Sequence, residues 1–138
     1  MAYQIKRSAK ITETLELCGD SGDVVKSLPI TVDIDTIAGE LRGRLTTMTT
    51  AEKQLKKAVN DGDYGEAYAL YGQTVKDVFA LCFGKQNTDE ITEFYDGNYV
   101  EMSFALVPFI YDVILPAANK VIAQRRAALK GIYGKKRR

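Results

Sequence analysis

Residues Met102 to Ala118, MSFALVPFIYDVILPAA, form a run of 17 whose one charge is Asp112. A run this apolar gains free energy only by leaving water. Asn98 stands ahead of it with Glu101 three residues on, the spacing of a capping box, so a helix is expected to start here. Val100, Phe104, Val107, Tyr111, Ile114, Ala118 and Val121 alternate steps of four and three. Leu106, Ile110 and Val113 fill the flank, which predicts a helix apolar over most of its circumference. Helices of that kind lie at the centre of a small protein or in a membrane. The run is shorter than the roughly 20 residues that span a bilayer and contains Asp112, Pro108 and Pro116. It reads as the core helix of a soluble domain, bent by its prolines.

With 138 residues, 46% hydrophobic and 27% charged, the chain can bury a core without metal or disulfide staples. The start, MAYQIKRSAKITETLEL, has early positive charge but no apolar h-region and no cleavage site, so a cytoplasmic protein is expected. Cys18 and Cys82 are far apart and form no CxxC, which predicts two buried thiols in a reducing compartment. The net charge of +1 hides an asymmetry: eight basic residues and no acid from Val113 onward, against eleven basic and eighteen acidic before it, a balance of −7. The chain is an acidic body with a basic end.

Residues 3–17 alternate, with Ile5, Ile11, Leu15 and Leu17 facing one way, and Ile30, Val32 and Ile34 alternate again within residues 28–34; the two stretches predict a hairpin with a long loop. Two strands are marginal alone, so the pair must lay its apolar face on helices. Asp35 or Thr36 can cap a helix over about 36–60, carried by Ile37, Leu41, Leu45, Met48, Leu55 and Val59. Four threonines between Thr46 and Thr50 weaken it, and one long helix is favoured over a break at Met48. Further helices are expected over about 63–83 (Tyr64, Ala67, Tyr68, Tyr71, Val75, Val78, Phe79, Cys82), 88–96 and 98–130. Residues 131–138 read as a frayed basic tail. The fold class is α+β, mainly helical: one domain over residues 1–130, an N-terminal β-hairpin packed on three to four helices, the last of them central and Pro-bent.

The sequence has no histidine, which removes Ser-His and Cys-His pairs, HExxH, and a ready general base near neutral pH. Gly19-Asp20-Ser21-Gly22 matches the string around a protease nucleophile but reads as a loop of turn residues. Asp61-Gly62-Asp63-Tyr64-Gly65-Glu66 lacks the ligand spacing of a calcium loop and reads as a helix junction. Neither GxGxxG nor GxxxxGK[ST] occurs, so no nucleotide cradle is expected. Asp89, Glu90, Glu93 and Asp96 read as solvated acids, and Asp112 as lying on an exposed edge or paired with a base such as Lys120. Catalytic, cofactor and metal residues are therefore expected to be none, and the chain is expected not to be an enzyme. Of the tyrosines, Tyr95 and Tyr99 flank the Gly97 turn and are the candidates for exposure and partner binding. Arg125, Arg126 and Lys130 on the last helix join them.

The string from Phe83-Gly84 through a short acidic stretch to Ile91-x-x-Phe94-Tyr95-Asp96-Gly97-Asn98-Tyr99-Val100-Glu101-Met102, then Val107-Pro108-Phe109-Ile110 and Val113-Ile114-Leu115-Pro116, resembles tail assembly chaperones of long-tailed phages and prophages of Gram-positive bacteria. The likeness covers about a third of the chain, and the β-rich start and long middle helix fit it. It implies a non-enzymatic protein of the host cytoplasm, needed for virion morphogenesis but absent from the mature virion. Such a protein would coat the tape measure protein and help recruit tail tube subunits. Many such chaperones are made in two forms by ribosomal frameshifting, and Gly134-Lys135-Lys136 is the kind of peptide that slippery codons would encode. Expected partners are thus the tape measure and tail tube proteins, with a homo-oligomer compatible, no membrane, and nucleic acid disfavoured. The alternative is a small basic-tailed nucleic-acid-binding or regulatory protein.

Overall fold

β-branched residues on both sides of a glycine-bearing loop build the first unit. The computed structural model describes residues 10–59 and 62–136, with Ala2 and Gln4. Of the rest of the expected first strand, Gln4 is not in a strand, and residue 3 and residues 5–9, Ile5 among them, lie outside the described residues, as do Asn60 and Asp61 at the end of the expected first helix and Arg137 and Arg138 of the tail. Strand β1, Lys10–Cys18, pairs antiparallel with β2, Val24–Asp33, in the register Ile11↔Val32, Thr14↔Pro29 and Leu17↔Lys26, with an irregularity between Leu17 and Cys18. β2 starts earlier than expected because Val24 to Ser27, read as loop, continue the ladder. The loop left between the strands is short, closed by Gly22 at φ 86° and by the Gly22 N–H donating to the Gly19 carbonyl at 2.9 Å. Leu17, Leu28, Ile30 and Val32 are buried.

Helix α1, Ile34–Ala58, follows β2 without a loop, so it begins before the expected caps Asp35 and Thr36. Asp33 takes the N-cap position without making a side-chain cap bond. The threonine stretch does not break the helix. Thr46, Thr47, Thr49 and Thr50 each donate a hydroxyl to the carbonyl four residues back, at 2.9 to 3.1 Å, which keeps those hydroxyls inside the helical pattern. Ile37, Leu41, Leu45, Met48 and Leu55 are buried, whereas Val59, expected on the same stripe, is the C-cap and 63% exposed.

Helix α2, Tyr64–Phe83, ends at Gly84, whose φ of 89° turns the chain straight into α3, Lys85–Phe94. α3 therefore starts before the expected Thr88, which is not a cap: its hydroxyl donates back to the Gly84 carbonyl at 2.8 Å. α3 also stops before the expected Asp96, in a Schellman turn. The Gly97 N–H donates to the Thr92 carbonyl and the Asp96 N–H to the Glu93 carbonyl, both at 3.0 Å, with Asp96 at φ 52°. Buried Val75, Val78 and Phe79 line the inner face of α2, and Tyr64 at its start is 44% exposed.

The last helical stretch comprises α4, Tyr99–Phe109, a π-helical turn over Ile110–Ile114, and α5, Leu115–Lys136. Asn98 caps it as expected, its Oδ1 accepting from the Glu101 N–H at 3.1 Å. The buried stripe is not the expected one. Met102, Leu106, Ile110, Ile114 and Ala118 are buried, whereas Phe104 is 77% exposed and Tyr111 40%. Steps of four overshoot an α-helical turn by about 40° each, so this stripe would spiral away from the core in a regular helix. The π turn takes up the drift: the Leu115 N–H donates to the Ile110 carbonyl, five residues back. Pro116, which has no N–H to offer, sits just past that turn. The stretch is thus not buried over most of its circumference. Tyr99–Gly131 is long and apolar enough by length and composition to cross a membrane, with 28% of its most apolar window buried, and its buried stripe packs into the same core as α1, α2 and the hairpin. The tail expected to fray is helical to Lys136.

Candidate functional site

Phe104 is large, apolar and outside the core because Met102 and Leu106, two residues either side of it, hold the opposite face of α4 inward. It stands on one wall of a groove of about 370 Å³ whose walls are α1, the start of α2, and α4. Met48, Leu55 and Val59 of α1 supply one side, Tyr64 and Tyr71 of α2 the end, and Val100, Phe104, Val107 and Pro108 the other side. At the floor the Tyr71 hydroxyl donates to Ser103 Oγ at 2.7 Å, and the Ser103 hydroxyl donates to the Val100 carbonyl at 2.8 Å. Both polar groups are satisfied within the chain, and burial pushes the Tyr71 hydroxyl above its ordinary range. Glu52 and Lys56, one turn apart and 3.1 Å from each other, mark the α1 rim. The groove offers apolar contact with a charged edge. Among the described residues no group of three or more His, Cys, Asp or Glu is arranged to hold a metal ion.

Tyr95 and Tyr99 are half-buried, not exposed, and each has a structural task. Tyr95 meets Phe94 edge-on at 5.0 Å between ring centroids. Burial, and after it the Glu101 charge, raises its hydroxyl above the usual range. The Tyr99 ring packs against Gly72, where a Cβ would come within 2.2 Å of it. Tyr68 tilts against it at 5.5 Å, and Lys76 Nζ sits 5.6 Å from the ring centroid. The Tyr68 hydroxyl donates to the Gly97 carbonyl at 2.9 Å and accepts the Tyr99 N–H at 3.0 Å, tying α2 to the turn between α3 and α4.

Arg125 spans back to the start of α1, pairing with the Asp35 carboxylate at 2.9 Å and donating to the Asp35 carbonyl. Arg126 and Lys130 are exposed, as is Asp112. Tyr99 and Arg125 lie on one continuous helical stretch, about 39 Å apart along it, so the two groups of expected binding residues do not form one site. Both thiols are free, and Cys82 is buried as expected, whereas Cys18 is exposed.

Sequence reasoning missed Phe104. The signal was present in Met102, Leu106, Ile110, Ile114 and Ala118, a set in strict steps of four that competes with the stripe through Phe104. Comparison with protein-family models, with curated proteins and with solved structures finds no match.

Proposed function

We propose that this chain is a non-enzymatic tail assembly chaperone of a phage or prophage, acting in the host cytoplasm and left out of the mature virion. On this reading the groove beside Phe104 takes apolar helical segments of the tape measure protein and keeps them soluble until tail tube subunits are recruited. The observation that carries it is Phe104, 77% exposed on the wall of an apolar groove. A side chain of that size gains about 1.5–3 kcal/mol when a partner covers it, and helix-in-groove recognition uses such anchors at i, i+3, i+4 and i+7. The resemblance of residues 83–116 to this chaperone family supplies the identity of the client.

Co-expression with a tape measure protein tests the reading. The client should stay soluble with this chain and precipitate with Phe104→Asp, whose melting temperature should match the parent. Equal precipitation with and without the chain removes the proposal. The runner-up, a nucleic-acid-binding or regulatory protein, draws on exposed Arg126 and Lys130 of α5. Phosphate binding there would show as retention on DNA that falls steeply with salt.

A further inference from the structure

Helix α5 carries a seam that lies open along the edge of the body. Ala117, Val121, Gln124 and Ala128 follow one another in steps of four, three and four, the spacing that keeps side chains in one line facing another helix. With Ile11 and Ile34 at the open end of the hairpin they line a cleft of about 550 Å³. Ile34 is buried, Ile11, Ala117 and Val121 are half-buried, and Gln124 and Ala128 are exposed. From Ala117 to Ala128 the seam runs about 17 Å, roughly three turns of helix.

The edges of the cleft are basic. Lys120 and Arg125 stand one residue before Val121 and one after Gln124, the positions from which helices in a coiled coil pair charges across the seam. Lys10 of β1 lines the cleft as well. Asp35, the one acid among the described lining residues, is held by Arg125 at 2.9 Å. Among the described residues Lys10 and Lys120 make no ion pair, so their charge is left for a ligand.

We infer that this cleft takes an acidic amphipathic helix of another protein, about three turns long, with aliphatic side chains against the seam from Ala117 to Ala128 and carboxylates toward Lys10 and Lys120. Charge selects the occupant. Residues 1–9 contain Lys6 and Arg7 and no acid, and residues 129–138 contain five cations and no acid, so neither end of this chain complements the cleft. The α5 seam of a second copy would set like charges against Lys120 and Arg125. A polyphosphate would meet the cations but gain nothing from the apolar seam. The inference goes beyond the chaperone reading and stands without it, because the cleft shares no lining residue with the groove beside Phe104.

Fluorescence anisotropy on the full chain tests it, with a labelled peptide of Leu at heptad spacing among Glu and Ala, roughly 14 residues long. The peptide should bind at low salt and lose affinity as salt rises. Lys10→Glu with Lys120→Glu should weaken it about tenfold or more at an unchanged melting temperature. Ala128→Arg separates the seam from simple charge: it adds a cation but fills the seam, so binding should fall. Amide resonances of Ile34 and Val121 should shift on titration, and that of Phe104 should not. No binding at low salt, equal binding of a peptide with Ser in place of Leu, or tighter binding by Ala128→Arg overturns the proposal. So do shifts at Phe104 in place of Ile34 and Val121, which would put the peptide in the other groove. Duplex DNA that binds through Lys10 and Lys120 more tightly than the peptide would assign the cleft to phosphates, and shifts at Val121 that follow protein concentration alone would assign it to a second copy; either result also overturns it.

Discussion

Gly72 lacks a side chain where Tyr99 needs the room: a Cβ there would stand 2.2 Å from Cε2 of that ring. Gly72→Ala must push the ring off α2, and overpacking of this kind costs about 1–3 kcal/mol, read as a lower urea midpoint. Ile110 and Phe104 belong to the same helical stretch but to opposite faces. Ile110→Ala should cost about 2–5 kcal/mol, whereas Phe104→Ala should stay within about 0.5 kcal/mol; the reverse order would place the buried stripe wrongly. The thiols separate in the same manner. Burial pushes Cys82 from an ordinary value of 9.0 up to about 12. The folded state thus holds the proton more tightly than the unfolded chain, so this contribution is complete below pH ~9 and fades as pH rises toward ~12. Native protein should show one rapidly alkylated thiol, Cys18, and a second only on unfolding.

At the scale of elements, the junction between α3 and α4 is held from outside by α2. Tyr68→Phe removes the hydroxyl that accepts the Tyr99 N–H and donates to the Gly97 carbonyl. The loss should be about 1–3 kcal/mol in chemical denaturation, with faster amide exchange at Tyr99 than in the middle of α2. The Schellman turn and the Asn98 cap are local devices, and both are written in the residues from Thr92 to Glu101. The π turn is different. It follows from the register that the core imposes on Ile110 and Ile114, with Pro116 just beyond it, and no local propensity for a π turn is legible in IYDVI.

For the whole molecule, the separation of charge decides what can be removed. Deleting residues 131–138 should leave the melting temperature unchanged, because the last contact that ties α5 to the start of α1, Arg125 with Asp35, lies before the deletion and Ala123 to Gly131 are already exposed. A drop of several degrees would mean that the end of α5 is tied to the body. The groove beside Phe104 and the free face of α5 belong to different parts of the surface. Phe104→Asp should therefore affect client solubility, and Arg126→Glu with Lys130→Glu should leave it unchanged.

Alternation in β1 and β2, the glycines at positions 22, 84 and 97, and the apolar spacing of α1 and α2 determined the hairpin, the helices and their order, because each depends on contacts between near neighbours in the chain. The chain by itself also placed the start of α4, through Asn98 and Glu101. Which side of α4 faces inward was decided only by tertiary structure. The run from Met102 to Ala118 is apolar on so many sides that two stripes compete, and the choice depends on what α1 and α2 present to it. The same holds for Tyr99: a tyrosine beside a turn looks exposed until Gly72, far away in sequence, meets its ring.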